Sequence, residues 1–329
     1  MMQLTRVPDL HSSDSYRTCC SGQIKTKLPI SGHLETAGRL FSRNISRSNS
    51  TLAAVATKTG ICGDQYIISE DQKQTFNERG YIHLRQVMTD EELREIIDPV
   101  YNAFLDGSIH VPGKDLCDMS GATGRTREEF TVYNVMLPRK YHPQWQGNLL
   151  ERRCKAIADQ LQGGDMALDY DQILAKRPAT EDAIFAWHQD MAYWPPFTAD
   201  TATATCWLAV SEATEENGCM RFVAGSHREA ELRPHAPVRA TREESHALST
   251  VLRENDVMDH APIRRGDITV HNERVIHGSG PNRSSSWRHA YVVAFRKAAC
   301  IAEERSLGFT HSHNDETNWD VFHQHDAQK

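Results

Sequence analysis

A series of short strand patterns separated by turns fills the second half of the chain, and this series most constrains the fold. Runs rich in β-branched and aromatic residues recur from Ala167 onward, each bounded by Gly, Pro, Asn or Ser. The predicted strands cover residues 168–175, 183–190, 202–210, 219–223, 267–272, 274–278 and 287–296. Many short strands at this spacing are typical of antiparallel sheets that close into a sandwich or barrel.

Helix signals precede the strands. Residues 69–72 (Ser-Glu-Asp-Gln) and 89–92 (Thr-Asp-Glu-Glu) are capping-box patterns. They predict a short helix to about Arg79 and a longer one that ends at Gly107, and a further helix is predicted over residues 149–161. Helices followed by strands predict a mainly β chain with N-terminal helices (α+β), whose strands form a double-stranded β-helix, or jelly roll.

The strand series contains a candidate metal-binding set. His188 and Asp190 are two positions apart, and His277 lies on a distant predicted strand. Positions two apart on a β-strand point to the same face, so His188 and Asp190 can bind one ion together, with His277 as the third ligand. Two histidines and one carboxylate, with other metal positions open, are the ligands of non-haem Fe(II) oxygenases. The open positions admit a co-substrate and O₂.

A predicted β-hairpin adds an arginine to this set. The strand that ends near His277 enters a turn rich in Gly, Pro, Asn and Ser, and a second strand returns through Arg288. A turn centred between Asn282 and Arg283 places His277 opposite Arg288, with Cβ atoms about 5 Å apart. A guanidinium binds a carboxylate through two parallel hydrogen bonds. The pattern therefore predicts 2-oxoglutarate, which chelates iron at one end and meets Arg288 at the other.

These motifs and their neighbours resemble the phytanoyl-CoA dioxygenase family of Fe(II)/2-oxoglutarate oxygenases, from about residue 70 to about residue 300. The matching positions are His188-Gln189-Asp190, Tyr193, Trp207, Glu216-Asn217-Gly218-Cys219-Met220, Gly225-Ser226-His227-Arg228 and His277-Gly278-Ser279-Gly280. The Asn-Gly-Cys-Met and Gly-Ser-His-Arg blocks are far more specific than His-x-Asp alone. One position departs from the family pattern, because Ala224 stands in a turn where relatives commonly have Pro.

The resemblance implies both cofactors and the residues that hold them. The implied iron ligands are His188, Asp190 and His277. The implied contacts of 2-oxoglutarate are Arg288 and Ser279 at its distal carboxylate, together with Gln189, Trp207 and, from an alignment of residues 172–178, Ile173. The cofactors are then Fe(II), 2-oxoglutarate and O₂, with ascorbate as a candidate reductant.

The implied reaction is oxidation, chiefly hydroxylation, of an unactivated C–H bond in a small organic molecule, with release of succinate and CO₂. Three alternatives stay open. One is α-hydroxylation of an acyl-CoA, although no basic cluster in the sequence suits the CoA diphosphate. Another is a hydrolase with Zn²⁺ on the same ligands. The third is a non-catalytic jelly-roll binding protein.

Other positions carry weaker expectations. Four aromatic residues near the His-Gln-Asp motif are expected to wall an apolar substrate pocket: Trp187, Tyr193, Trp194 and Phe197. Residues 228–265 interrupt the strand series and are expected to form a lid or substrate loop. The C-terminal histidines are expected on the solvated surface: His311, His313, His323 and His325.

Composition excludes some partners. Of the 329 residues, 39% are hydrophobic and 25% charged, as in globular domains. No apolar run approaches the length of about 20 residues that a membrane span requires. Residues 61–329 hold 29 Lys/Arg against 41 Asp/Glu, so nucleic acid is not an expected partner. The eight cysteines include no Cys-x-x-Cys and show no disulfide framework, which indicates a reducing compartment.

The N-terminal residues 1–62 are predicted to be a leader, disordered or targeting, ahead of a dioxygenase domain over residues 63–329. The leader is polar and rich in Ser and Thr, and residues 37–60 contain no Asp or Glu. That composition is typical of an organelle transit segment, while residues 27–34 are similar to an N-terminal peroxisomal signal that lacks one residue of spacing. A cytoplasmic location is predicted, with the peroxisome or the mitochondrion as alternatives.

Overall fold

A computed structural model describes residues 59–122, 124–195, 198, 200–239 and 246–315. Several expectations fall outside these residues: the leader up to residue 58, Phe197, residues 240–245, and the histidines at 323 and 325. Within the described part, no helix has both the length and the apolar character that crossing a bilayer requires.

The N-terminal elements follow the predicted capping signals. In chain order they are β1 (Gly60–Cys62), β2 (Gln65–Ile67), α1 (Glu70–Arg79), β3 (Tyr81–Leu84), α2 (Asp90–Glu92) and α3 (Asp98–Asp106). Both predicted capping boxes are present, with Ser69 ahead of α1 and Thr89 ahead of α2. A π-helical stretch (Leu93–Ile97) joins α2 to α3, which ends at Gly107 in the left-handed conformation. Because β1 pairs with β2, the predicted domain boundary at residue 62 falls inside a β-hairpin.

The remaining elements match the predicted strand series. They are β4 (Leu116–Asp118), β5 (Val132–Met136), α4 (Pro138–Tyr141), α5 (Leu149–Gln162), β6 (Met166–Lys176), β7 (Phe185–His188), β8 (Thr203–Ala209), β9 (Met220–Val223), β10 (Ala236–Pro237), β11 (Leu248–Ser249), β12 (Met258–Ala261), β13 (Ile268–His271), β14 (His277–Ser279), β15 (Arg288–Lys297) and α6 (Ala298–Ser306). Each predicted strand has a counterpart here. Strands β4, β5, β10, β11 and β12 were not predicted.

Two antiparallel sheets form the predicted jelly roll. In the described part of the chain, the large sheet has the strand order β3-β13-β8-β15-β6-β5-β4, and the small sheet has the order β12-β9-β14-β7. The helices pack on one face of the large sheet, where Tyr101 and Ile157 join Ile173 and Tyr291 in the main core. The opposite face meets the small sheet, and Leu174 lies in that second apolar cluster. Ile173 and Leu174 are neighbours on β6, and they therefore lie in different apolar clusters, on opposite faces of the large sheet.

The predicted hairpin between His277 and Arg288 is wrong. His277 lies opposite His188 and Phe222 in the small sheet, whereas Arg288 lies opposite Lys176 in the large sheet. The connection crosses between the sheets, and Asn282 holds its turn against β6. The Asn282 amide donates to Lys176 O at 3.1 Å and to Ser286 O at 2.8 Å.

Residues 228–265 are attached to the fold in their described part. Strand β12 pairs with β9 and forms an edge of the small sheet, and β10 pairs with β11. The buried Arg233 forms ion pairs with Glu229 and Asp256. Strand pairing and a buried cation therefore hold the described part of this segment in place, and the expectation that it forms a lid or substrate loop stays a prediction.

Candidate active site

Three side chains with metal-binding atoms meet on the inner side of the small sheet. His188 ends β7 and lies opposite His277 of β14, while Asp190 begins the 3-10 helix that follows (Asp190–Tyr193). One ligand atom from each residue lies within 4.8 Å of the others. Asp190 Oδ1 is 3.1 Å from His188 Nε2 and 3.4 Å from His277 Nε2. Asp190 thus reaches the site from a turn rather than along the strand.

Backbone contacts orient both imidazoles. His188 Nδ1 lies 2.7 Å from Ala186 O, and His277 Nδ1 lies 3.0 Å from Val275 O. A carbonyl accepts a hydrogen bond, so each Nδ1 carries the proton and each Nε2 presents a lone pair. Burial, with the neighbouring His277, lowers the pKa of His188 and favours its neutral form. Two lone pairs and a carboxylate oxygen directed at one point suit a divalent cation.

A third histidine, missed by the sequence analysis, contacts the carboxylate. His271 ends β13, and its Nε2 lies 3.2 Å from Asp190 Oδ2. Burial by itself raises the pKa of Asp190, but His277, His188 and His271 hold it well below its usual range. The sequence predicts a strand that contains His271. It does not show which strands pair, and that pairing places the His271 ring beside Asp190.

Arg288 lies across the same cavity from the histidines. It is 2% exposed, and its Nε and Nη1 have no hydrogen-bond partner. The guanidinium carbon lies 5.0 Å from the centre of the Trp207 ring, and burial lowers the pKa of Arg288 to about 10. A cavity wall contains Arg288, Trp207, Ser279 and His277 together. An unpaired buried cation beside this cavity is suited to a carboxylate ligand.

Two positions implied by the family resemblance do not line this cavity. Ile173 packs in the main core beneath the helices, because successive residues of a strand face opposite sides. Its neighbours Gln172 and Leu174 line the cavity instead. Gln189 is fully buried, and its amide donates to Arg274 O and accepts from the backbone of Arg233. The structure therefore places Ile173 and Gln189 away from the wall of this cavity, and their contacts with the co-substrate stay a prediction.

A second cavity adjoins the three side chains and extends to the C-terminal residues. It encloses about 670 Å³, including space open to solvent, and its wall contains both His188 and Asp190. The expectation of solvated histidines is wrong at two positions. His311 is buried with its Nε2 2.9 Å from Asp169 Oδ2, and the His313 ring stacks on His246 at 4.1 Å.

The expected aromatic wall is present in part. Tyr193 and Trp194 line the second cavity, together with Phe185. Trp187 does not, because it alternates with His188 along β7 and lies beneath the guanidinium of Arg221 at 4.8 Å. Aromatic side chains on the cavity side therefore surround the approach to Asp190 and His188.

A jelly roll with two histidines, one carboxylate and a buried arginine around an inner cavity defines a class of protein, the non-haem Fe(II)- and 2-oxoglutarate-dependent dioxygenases. Comparison with known proteins agrees with that class. The model of a family described as Phytanoyl-CoA dioxygenase (PhyH) matches residues 76–290. The chain belongs to this family and is a 2-oxoglutarate-dependent dioxygenase.

Similar proteins cover most of the described fold. A probable alpha-ketoglutarate-dependent hypophosphite dioxygenase of Stutzerimonas stutzeri is 28% identical over 69% of this chain and 78% of its own length. A 2-aminoethylphosphonate dioxygenase from the uncultured bacterium HF130_AEPn_1 is 26% identical, over 70% of this chain and 82% of its own. The crystal structure of EvdO2 from Micromonospora carbonacea var. aurantiaca, complexed with 2-oxoglutarate, has a TM-score of 0.55 and 26% identity, and the match covers 70% and 92% of the two chains.

Proposed function

We propose that this dioxygenase oxidises an unactivated C–H bond of a small organic molecule, chiefly by hydroxylation. His188, Asp190 and His277 bind Fe(II), and Arg288 binds the distal carboxylate of 2-oxoglutarate. Ser279 and Trp207 line the co-substrate, since both share a cavity wall with Arg288. When bound, iron and 2-oxoglutarate supply the oxidising chemistry, with release of succinate and CO₂.

The protein's own residues orient and enclose the reactants. The Nδ1 contacts of His188 and His277 keep each Nε2 directed at the metal position. The Arg288 guanidinium would fix the orientation of bound 2-oxoglutarate, because a bidentate guanidinium–carboxylate pair fixes an angle as well as a distance. The adjoining cavity, which reaches Asp190 and His188, holds the substrate beside the metal position.

The observation that carries the proposal is the unpaired guanidinium of Arg288. Burying a cation without a partner destabilises a protein, so a buried arginine beside three ligand atoms argues for a carboxylate ligand. A Zn²⁺ hydrolase with the same ligands activates water at the metal, and that step needs no buried cation beside the ligands. A non-catalytic binding protein likewise has no stability reason to retain the four residues together.

The acyl-CoA alternative is less well supported. Among the described residues that line the second cavity, there is no Lys or Arg to meet the CoA diphosphate. The phosphorus compounds named for the two similar dioxygenases carry anionic phosphorus groups, which meet the same lack of a described cation in this cavity. A molecule with little or no charge fits the described lining better.

Succinate formation tests the proposed function. The purified protein is incubated with 2-oxoglutarate and ascorbate, and with either Fe(II) or Zn²⁺. Succinate is expected with Fe(II) and not with Zn²⁺, and it is expected to disappear in Asp190→Ala. His83→Ala is the matched control, because His83 Nε2 also contacts a carboxylate, Asp267 Oδ2 at 2.8 Å, outside the site. Equal succinate with both metals, or none with Fe(II), would contradict the proposal.

A further inference from the structure

We infer that residues 309–313, the C-terminal wall, select the substrate, and that the substrate is a ring compound bearing oxygen substituents. This inference rests on the proposed function. The family match ends at residue 290, so these residues lie beyond the shared domain. Four of them line the cavity that also contains His188 and Asp190. The shared domain thus supplies the metal end of the cavity, and the C-terminal wall supplies part of the far end.

The C-terminal wall is attached to buried carboxylates of the jelly roll. His311 Nε2 lies 2.9 Å from Asp169 Oδ2 on β6. The Ser312 hydroxyl donates to Asp115 Oδ2 at 2.7 Å, and the His313 amide donates to Asp115 Oδ1 at 2.6 Å. Asp115 and Asp169 are both buried. A segment held in this way presents a fixed surface to a substrate, and preorganised surfaces discriminate between ligands by shape.

The chemistry of the lining indicates the substrate class. Nine of the fourteen lining residues carry aromatic or imidazole rings, and no Lys or Arg is among those described. Phe309 and Phe185 offer flat apolar faces. The Gln172 side-chain amide, on the same cavity wall, offers donors and an acceptor suited to hydroxyl or carbonyl oxygens. Flat faces with polar edges suit an uncharged ring with oxygen substituents.

Binding of defined probes tests the inference on the protein loaded with Co(II) and 2-oxoglutarate. The ring probes are phenyl β-D-glucoside and 7-hydroxycoumarin, and the comparison probes are hexanoyl-CoA and 2-aminoethylphosphonate. Affinity is measured by calorimetry for the wild type, Phe309→Ala and His313→Ala. His260→Ala is the matched control, because its half-exposed ring pairs with Glu215 away from the cavity. Phe309→Leu replaces Phe309→Ala if the latter does not fold.

The ring probes are expected to bind the wild type and the control, and to lose at least about tenfold in affinity in both C-terminal wall variants. Binding of 2-oxoglutarate is expected to stay unchanged in every variant. The inference is overturned if neither ring probe binds, if the comparison probes bind more tightly, or if both variants bind the rings normally. Failure of the proposed function is a separate result, because it removes 2-oxoglutarate binding and succinate formation in the wild type itself.

A different observation supports a second inference: we propose that His271 is a positioning residue that keeps Asp190 bound to metal through one oxygen. Asp190 Oδ1 faces His188 and His277, whereas Oδ2 lies 3.2 Å from His271 Nε2. His271 Nδ1 is buried without a partner, so Nε2 is the ring nitrogen through which His271 makes its polar contact. A carboxylate held at one oxygen leaves a further metal position for co-substrate or O₂.

Co(II) affinity tests the role of His271 independently of turnover. His271→Phe keeps a ring beside Phe222, which lies 5.6 Å away between centres, but removes the donor. His271→Gln retains a donor near the position of Nε2. His271→Phe is expected to bind Co(II) about 10–100-fold more weakly, and His271→Gln to recover most of that loss. The control His83→Phe changes another histidine–carboxylate contact and is expected to bind normally. Unchanged Co(II) affinity and spectrum in His271→Phe would overturn the proposal.

Discussion

Replacement of Arg288 by Met is expected to stabilise the ligand-free protein and to remove its affinity for 2-oxoglutarate. The two effects have opposite signs because the guanidinium is buried without a partner until a carboxylate binds. Met keeps a similar length and apolar volume but carries no charge. If Arg288 contributed only to packing, its replacement would change the free energy of unfolding and leave 2-oxoglutarate binding unchanged.

The magnitude follows from the burial of the charge. The pKa of Arg288 falls to about 10 on burial, and at about 1.4 kcal/mol per pKa unit its desolvation costs roughly 3 kcal/mol. The contact with Trp207 offsets about 1 to 2 kcal/mol of this. Arg288→Met is therefore expected to gain about 1 to 2 kcal/mol in the free energy of unfolding, or a few degrees in Tm.

Binding of 2-oxoglutarate changes in the other direction. Each hydrogen bond to a charged group contributes about 1.5–3 kcal/mol. Arg288→Lys offers a point charge in place of a fork, so loss of one such bond is expected to raise the KM for 2-oxoglutarate about 10–100-fold. Arg288→Met loses both bonds and is expected to bind at least about 100-fold more weakly.

Differential scanning fluorimetry and calorimetry of the Co(II)-loaded protein, with and without 2-oxoglutarate, measure both effects. Arg221→Met is the control, because Arg221 also has a buried unpaired Nε but lies over Trp187, outside the cavity. The control is expected to bind 2-oxoglutarate normally. A destabilised Arg288→Met that still binds 2-oxoglutarate with wild-type affinity would refute the reasoning.

Four further predictions concern the site and its surroundings. His188→Ala, Asp190→Ala and His277→Ala are each expected to abolish succinate formation with circular dichroism unchanged, and near-normal turnover in any of them would contradict the ligand set. Saturating chloride is expected to give no chlorinated product by mass spectrometry, because Asp190 takes the metal position that a halide needs. Burial, with Arg288, lowers the pKa of His289 to about 4; its contribution to stability is present above about pH 6.5 and lost as pH falls towards 4, so acid unfolding in that window should be less steep in His289→Gln. Gln189→Ala is expected to lose about 1–3 kcal/mol of unfolding free energy in urea titrations, because its amide bridges two backbone segments.

Features with local causes could be predicted from the sequence. The capping boxes at Ser69 and Thr89 depend on four consecutive residues, and both helices begin where these signals lie. The strand series depends on residue type and turn chemistry, and each predicted strand formed. The donor set of His188, Asp190 and His277 was also predictable, because metal-binding chemistry belongs to the residue types themselves.

Features that depend on strand partners could not be predicted in this way. Local periodicity does not specify which strands pair, so His277 and Arg288 were assigned to one hairpin although they lie in facing sheets. The face that Ile173 presents and the contact of His271 with Asp190 follow from the same long-range pairing.

The sequence by itself determined which elements form and which side chains can bind a metal and a carboxylate, because those properties arise within a few residues. The tertiary structure decided how these groups meet. It brought His311 and His313 from an apparently polar tail into the cavity wall, because Asp169 and Asp115, far away in the chain, hold them there. Contacts between residues so distant in sequence depend on the packing of both sheets, which no local pattern encodes.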